Sequence, residues 1–289
     1  MEMSKFLISD YFTKNANLDI EQIRKKLFEI NILSKDYVDD DLLLIYNKFE
    51  NKNKTPLESE CRSIILDRKT FDIVCYTCNT PILNFEAINY MMKKSKFPKE
   101  IYKCYEGSLL SAFNYNNKWY LSSRRCLDSK ESVINEKSHF DMFEEIIKND
   151  EFEDYNDFTK KLNKDYCYYF VLIHHQNEHN VDYETEFGDN YKKLCLAFVR
   201  NKNQKELNLS ELELDFVSDN IFLPIKLDNL VTFDEENKNT NILDKPKNEG
   251  VIVKINNKYL KLQNINFQFY KAIGPKKNIY SGFINLYQN

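Results

Sequence analysis

The chain has 289 residues, 42% of them hydrophobic and 14% aromatic, which is enough for one large core or two modest ones. A net charge of −4 excludes a protein that coats nucleic acid non-specifically, because that affinity comes from many Lys and Arg contacts to phosphates. No run of about 18 apolar residues occurs, and the stretch from Met1 to Leu18 mixes Lys5, Asp10 and Lys14 with its apolar residues, so neither a membrane span nor a secretory leader is expected.

The first fifty or so residues read as helical. Leu18, Ile20, Ile23, Leu27 and Ile30 recur at roughly helical spacing behind Asp19, a potential N-cap, and a second short helix is predicted over Asp40 to Phe49. From Cys61 the pattern turns to short β-branched and aromatic runs, at Ser63 to Leu66 and Phe71 to Tyr76. Ser108 to Tyr115 and Lys118 to Ser123 flank Asn116 and Asn117, which tolerate positive φ and predict a tight hairpin. Helical spacing returns between residues 138 and 163, and strands are predicted at Tyr166 to Ile173 and Tyr191 to Arg200. The polar stretch from Asp234 to Asn248 reads as a loop. It precedes a closing hairpin, Val251 to Ile255 and Tyr259 to Leu262, turning at Asn256 and Asn257.

Seven cysteines, an odd number spread mostly through strand-like stretches, predict free thiols in a reducing, cytoplasmic setting. Cys75 and Cys78 have CxxC spacing but lack the second pair of a zinc site, and His174, His175 and His179 near Glu178 and Asp182 read as polar residues at a strand end. No metal ligands are assigned.

Several short segments carry the chemistry. They are Glu60-Cys61-Arg62-Ser63, then Lys103-Cys104-Tyr105-Glu106-Gly107-Ser108-Leu109, Ser122 to Arg125, Tyr169 to Leu172, Glu249 to Val253, and Leu260-Lys261-Leu262. In this order and spacing, over roughly residues 55 to 270, they resemble the covalent nucleotidyltransferases, the ATP-dependent ligases and mRNA capping enzymes, and most of all RNA ligases of phage and large-virus type. The resemblance implies an α+β core of antiparallel sheets with flanking helices at 55–270. Residues 1–54 would be a helical cover or a surface for a protein partner and 271–289 a C-terminal extension, and the 26 residues beyond Gln263 are too few for the C-terminal oligonucleotide-binding domain of capping enzymes and DNA ligases. The A/T-biased composition, rich in Asn, Lys, Ile and Tyr, fits a large DNA virus and hence the host cytoplasm or a viral factory.

In the family a lysine attacks the nucleotide α-phosphate while carboxylates hold ribose and metal and basic residues neutralise phosphate. The resemblance makes Arg62, Cys104, Tyr105, Glu106, Gly107, Arg124, Phe170, Glu249 and Lys261 candidate nucleotide- or RNA-binding residues. Cys104 stands where the nucleophilic lysine is expected, Val171 where an acid is expected after Phe170, and Gln263 where a second lysine is expected. Lys103 lies one residue early, and a one-residue slip on a strand turns a side chain to the other face unless a bulge re-aims it. Three readings therefore stand. One is a catalytically degenerate binder of a nucleotide or RNA 5′ end, an mRNA cap included, with no cofactor. The second is an ATP-dependent RNA ligase using Lys103, Mg²⁺ and ATP, and the third is a scaffold in a viral complex. Taken singly, Arg62 also reads as a salt-bridged core residue and Lys261 as an exposed strand lysine.

Overall fold

The computed structural model describes residues 6–48, 54–230 and 244–273. Two helices come first, α1 (Leu7–Lys14) and α2 (Ile20–Glu29). Asp19 caps α2 as predicted: its carboxylate accepts the Gln22 N–H at 2.8 Å while the Gln22 side chain accepts the Asp19 N–H at 3.1 Å.

Where the helix is predicted over Asp40 to Phe49, Leu42–Asn47 is instead a strand, and Phe49 lies outside the described residues. β1 (Ile32–Tyr37), β2 (Leu42–Asn47), β3 (Ile64–Asp67) and β4 (Ile73–Tyr76) form a four-stranded antiparallel sheet in that order. Leu43 and Ile45 pack towards Ile8, Ile23 and Leu27 of α1 and α2, and Leu42 and Leu44 pack towards Phe113, Tyr169 and Phe198 of a second sheet. A strand buried on both faces is apolar without interruption, and periodicity cannot separate such a run from a buried helix. The N-terminal region is thus helical only to Glu29, and it supplies two strands to the sheet that β3 and β4 complete.

After α3 (Pro56–Glu60) come β5 (Ile82–Leu83), α4 (Asn84–Lys93), β6 (Glu100–Cys104) and the hairpin β7 (Ser108–Tyr115) and β8 (Lys118–Ser122). Asn116 and Asn117 take φ of 48° and 61°, the turn the sequence predicts. A small hairpin of β9 (Val133–Ile134) and β10 (Lys137–Ser138) leads into α5 (His139–Asn149) and α6 (Tyr155–Thr159). Then follow β11 (Tyr166–His174), α7 (Glu184–Phe187), β12 (Lys192–Asn201), β13 (Glu206–Leu207), β14 (Ile221–Phe222) and β15 (Lys226–Leu227). The closing hairpin is β16 (Gly250–Ile255) and β17 (Lys258–Gln263), with Asn256 and Asn257 at φ of 48° and 59°, before α8 (Ile265–Ile273). Most of the predicted 234–248 loop, and the extension beyond residue 273, lie outside the described residues.

The second sheet has the order β13-β12-β11-β7-β8, with β14 parallel to β12, and the third has the order β15-β6-β16-β17-β5. Met142, Phe143, Ile146 and Ile147 of α5 and Phe158 of α6 cover the second sheet on the face opposite the first. Ala87 of α4 seals Val251, Val253 and Leu260 of the third. The core is therefore α+β and mostly antiparallel with flanking helices, as expected, and among the described residues none of its helices is long and apolar enough to cross a membrane.

Candidate active site

The second and third sheets together line a cavity of about 570 Å³. On the third sheet, Cys104 at the end of β6 pairs with Gly250 of β16, and Gly250 pairs with Gln263 of β17. Gly250 has φ of 147°, and a Cβ there would collide with the Leu262 carbonyl oxygen, so only glycine admits this close approach. Three strands therefore deliver Cys104, Glu249 and Lys261 to one point.

Glu249 is 3% exposed, and its carboxylate is fully engaged. Lys261 Nζ lies 2.5 Å from Oε1, Gln263 Nε2 donates to the same oxygen at 2.9 Å, and the Cys104 thiol donates to Oε2 at 3.4 Å. Burial opposes charge on Glu249, but Lys261, Gln263 and Cys104 outweigh it and hold the carboxyl below its usual range. Burial, only partly offset by Lys261, pushes the Cys104 thiol well up, so at neutral pH the sulfur keeps its proton and serves as a donor.

Lys103, one residue earlier, also borders the cavity, but its ammonium is turned away from Glu249. Its ammonium lies 2.5 Å from Glu186 of α7 and 5.0 Å from the Tyr105 ring centroid. Tyr105 in turn packs among Tyr183, Phe187 and Phe222. Strand alternation thus places the thiol, and not the ammonium, against Glu249.

Glu106 borders the same cavity but is tied into its wall. One carboxylate oxygen accepts the backbone N–H groups of Asn180 at 2.6 Å and Val181 at 2.9 Å, the other accepts Asn180 Nδ2 at 2.6 Å, and Tyr183 Oη bonds the Glu106 backbone. Gly107 is required by contact: a Cβ there would collide with the Leu172 carbonyl oxygen and stand 2.8 Å from Val171 Cγ1. On the remaining wall Arg62 donates to Cys78 Sγ at 3.3 Å, and Arg124 donates to the Asn47 carbonyl and side-chain oxygens at 2.7 and 2.6 Å.

Seven of the nine predicted binding residues are gathered here without qualification, and Tyr105 lines the cavity with its ring packed into the wall. Phe170 is the exception. It is fully buried against Phe143 and Phe158 in the helical layer, because alternation along β11 sends its ring away from the cavity and leaves Val171 facing it. Sequence reading missed Asn180, Val181 and Tyr183, more than seventy residues from the Glu106 they hold. It also missed a polar chain on the cavity wall, in which Ser108 Oγ lies 2.8 Å from His139 Nε2 and Ser132 Oγ 2.7 Å from His139 Nδ1. Ser108 closes the segment that begins at Lys103, but Ser132 and His139 belong to no motif, and only their meeting with Ser108 in space marks them.

The CxxC residues part company, Cys75 towards Tyr169 Oη at 3.4 Å and Cys78 towards Arg62, and all seven cysteines are free. His174 pairs with Glu145 at 3.1 Å and His179 packs on the Tyr183 and Tyr191 rings.

Antiparallel sheets enclosing such a cavity, with flanking helices, are also the fold of solved structures that include ATP-dependent ligases. A protein described as an ATP-dependent DNA ligase from Aquifex aeolicus superposes with a TM-score of 0.54 at 12% identity, covering 93% of this chain and 71% of that one. An archaeal ATP-dependent RNA ligase gives 0.52 at 12% identity, covering 96% and 72%. In sequence, a protein assigned as a bifunctional polynucleotide kinase/RNA ligase of Autographa californica nuclear polyhedrosis virus is 28% identical over 119 residues, 38% of this chain. The matched region spans 17% of that relative's length. No family model matches the chain.

The ligase resemblance implies Mg²⁺, which needs at least one or two available carboxylates in near-octahedral geometry. The residues present do not fit a protein-held divalent cation. Glu249 is engaged by an ammonium, an amide and a thiol, Glu106 by three N–H groups, and Val171 occupies the place of a third acid. Among the described residues no group of three His, Cys, Asp or Glu side chains is arranged to hold a metal.

Proposed function

We propose that this chain binds a nucleotide or the 5′ end of an RNA, an mRNA cap included, in a ligase-type cavity without forming a covalent intermediate. The observation that supports this most directly is the Cys104 thiol bonded to Glu249, beside Lys261, where the family's chemistry needs an amine. A protonated thiol pushed up by burial is a poor nucleophile. The Lys103 ammonium is paired with Glu186 beside the Tyr105 ring, and Lys261 is paired with Glu249, so neither amine is free to take the nucleophile's part. What remains suits recognition: Arg62, Arg124 and Lys261 for phosphate, and an apolar wall of Ile252, Pro224 and Phe198 for a base. The baculoviral similarity and seven unbridged cysteines support an intracellular viral setting.

The test is incubation with Mg²⁺ and ATP or GTP followed by intact-mass measurement, with a parallel thermal-shift titration using ATP, GTP and cap analogue. No mass gain is expected. A saturating ligand at about a hundredfold excess over Kd contributes about 2.7 kcal/mol, which in a chain of this size raises Tm by several degrees. A one-nucleotide adduct lost in Lys103→Ala would establish an active ligase instead, and no thermal shift with any ligand would leave a scaffold.

A further inference from the structure

We propose that Lys261 stands in for the divalent cation of the ligase site, so that the cavity binds the phosphate chain of a nucleoside triphosphate without metal. This deepens the binding function proposed above and rests on it. Magnesium in a phosphate site does two things: it neutralises phosphate charge and it is held by protein carboxylate. Lys261 has both attributes. Its ammonium is 2.5 Å from Glu249, the carboxylate that the resemblance assigns to this region of the pocket, and Gln263 completes the same oxygen at 2.9 Å. An ammonium carries three donors; Glu249 takes one and the Cys104 sulfur is in reach of another, which leaves Lys261 capacity for a phosphate oxygen.

The surroundings carry the balance of charge. Arg62 lies close enough to Lys261 for their charges to repel, and Arg124 and Arg125 line the same cavity, whereas among the described residues the only acidic side chains lining it are Glu106 and Glu249. Glu106 is spent on Asn180 and Val181. Glu249 is spent on Lys261. A site with both carboxylates internally neutralised and several cations at its edge attracts phosphate directly, and a second cation brought in by the ligand meets no free anionic partner.

The experiment measures ATP and GTP binding by calorimetry to wild type, Lys261→Ala and Lys261→Arg, each in excess EDTA and in Mg²⁺. Wild type and Lys261→Arg are expected to bind at least one nucleotide in EDTA with a Kd within about threefold of that in Mg²⁺. Lys261→Ala is expected to lose about tenfold or more in EDTA and to recover part of it in Mg²⁺, because Glu249 is released to take the ion. Tightening of wild type by more than about tenfold in Mg²⁺, or metal-free binding by Lys261→Ala equal to wild type, overturns the inference while leaving nucleotide binding intact. Absence of binding in either buffer overturns the proposed function itself.

Discussion

Lys103 and Cys104 are neighbours in sequence and opposites in space. The Cys104 thiol bonds Glu249 whereas the Lys103 ammonium pairs with Glu186, because one step along a strand changes the face that a side chain presents. Two further residues respond to similarly local constraints. Gly107→Ala would drive a methyl into the Leu172 carbonyl and Val171, backbone that cannot yield without moving β11, and is expected to cost about 1–3 kcal/mol by urea denaturation. Glu106→Gln replaces an acceptor that takes three N–H bonds with a group that turns an amide N–H₂ towards them, and should cost about 1–3 kcal/mol while increasing hydrogen exchange at Asn180 and Val181. An unchanged exchange rate there would mean that Glu106 does not hold that segment. The chemistry-bearing residues of this cavity were legible because each sits in a short motif. Their supports were not, since Asn180, Tyr183 and His139 reach the site through tertiary packing that no local pattern encodes.

At the scale of elements, patterns with a strict period were readable and buried runs were not. Ser108 to Tyr115 and Lys118 to Ser122 declare themselves by their Asn-Asn turn, and α2 by its Asp19 cap. β2 does not, because Leu42 to Ile45 face apolar layers on both sides and lose the alternation that marks a half-exposed strand. Phe170 was misplaced for a related reason: a motif names a position on β11 but not which face of the strand it presents. The helix that receives Phe170 depends on its own start signal. Ser138 caps α5 by accepting the Asp141 N–H at 3.0 Å while Asp141 reaches back to Ser138 N at 3.2 Å. Ser138→Ala should therefore cost about 1 kcal/mol, read as a lower urea midpoint with an unchanged slope. Because His139 is the first residue of α5, the same substitution tests whether loosening the helix start disturbs the Ser108 and Ser132 contacts on the cavity wall.

The whole molecule carries a pH dependence that its net charge of −4 does not reveal. His174 is buried where β11 meets α5, and burial, opposed by Glu145, lowers it to about 4; burial lowers His179 to about 4 as well, with Lys245 adding to it. Unfolded histidine titrates near 6.5, so between about pH 6.5 and 4 the unfolded chain binds protons that the folded one does not. Stability is therefore fully present above that window and falls as pH drops through it, by at most about 1.4 kcal/mol per pH unit for each histidine. Glu145 acts in the same direction lower down. Burial raises it, but Lys137, Lys192 and His174 bring it to about 2, so its contribution is lost as pH falls from the ordinary carboxylate range towards that value. Glu60 and Glu106, both raised by burial, have the opposite sign: their contribution is present in acid and lost as pH rises through their folded values. The histidine window is thus the one to measure, by urea denaturation at pH 7, 6 and 5 for wild type, His174→Gln and His179→Phe. Each variant should flatten the decline between pH 6.5 and 5, and a wild-type stability that holds constant across that range would show that neither ring is kept neutral by the fold.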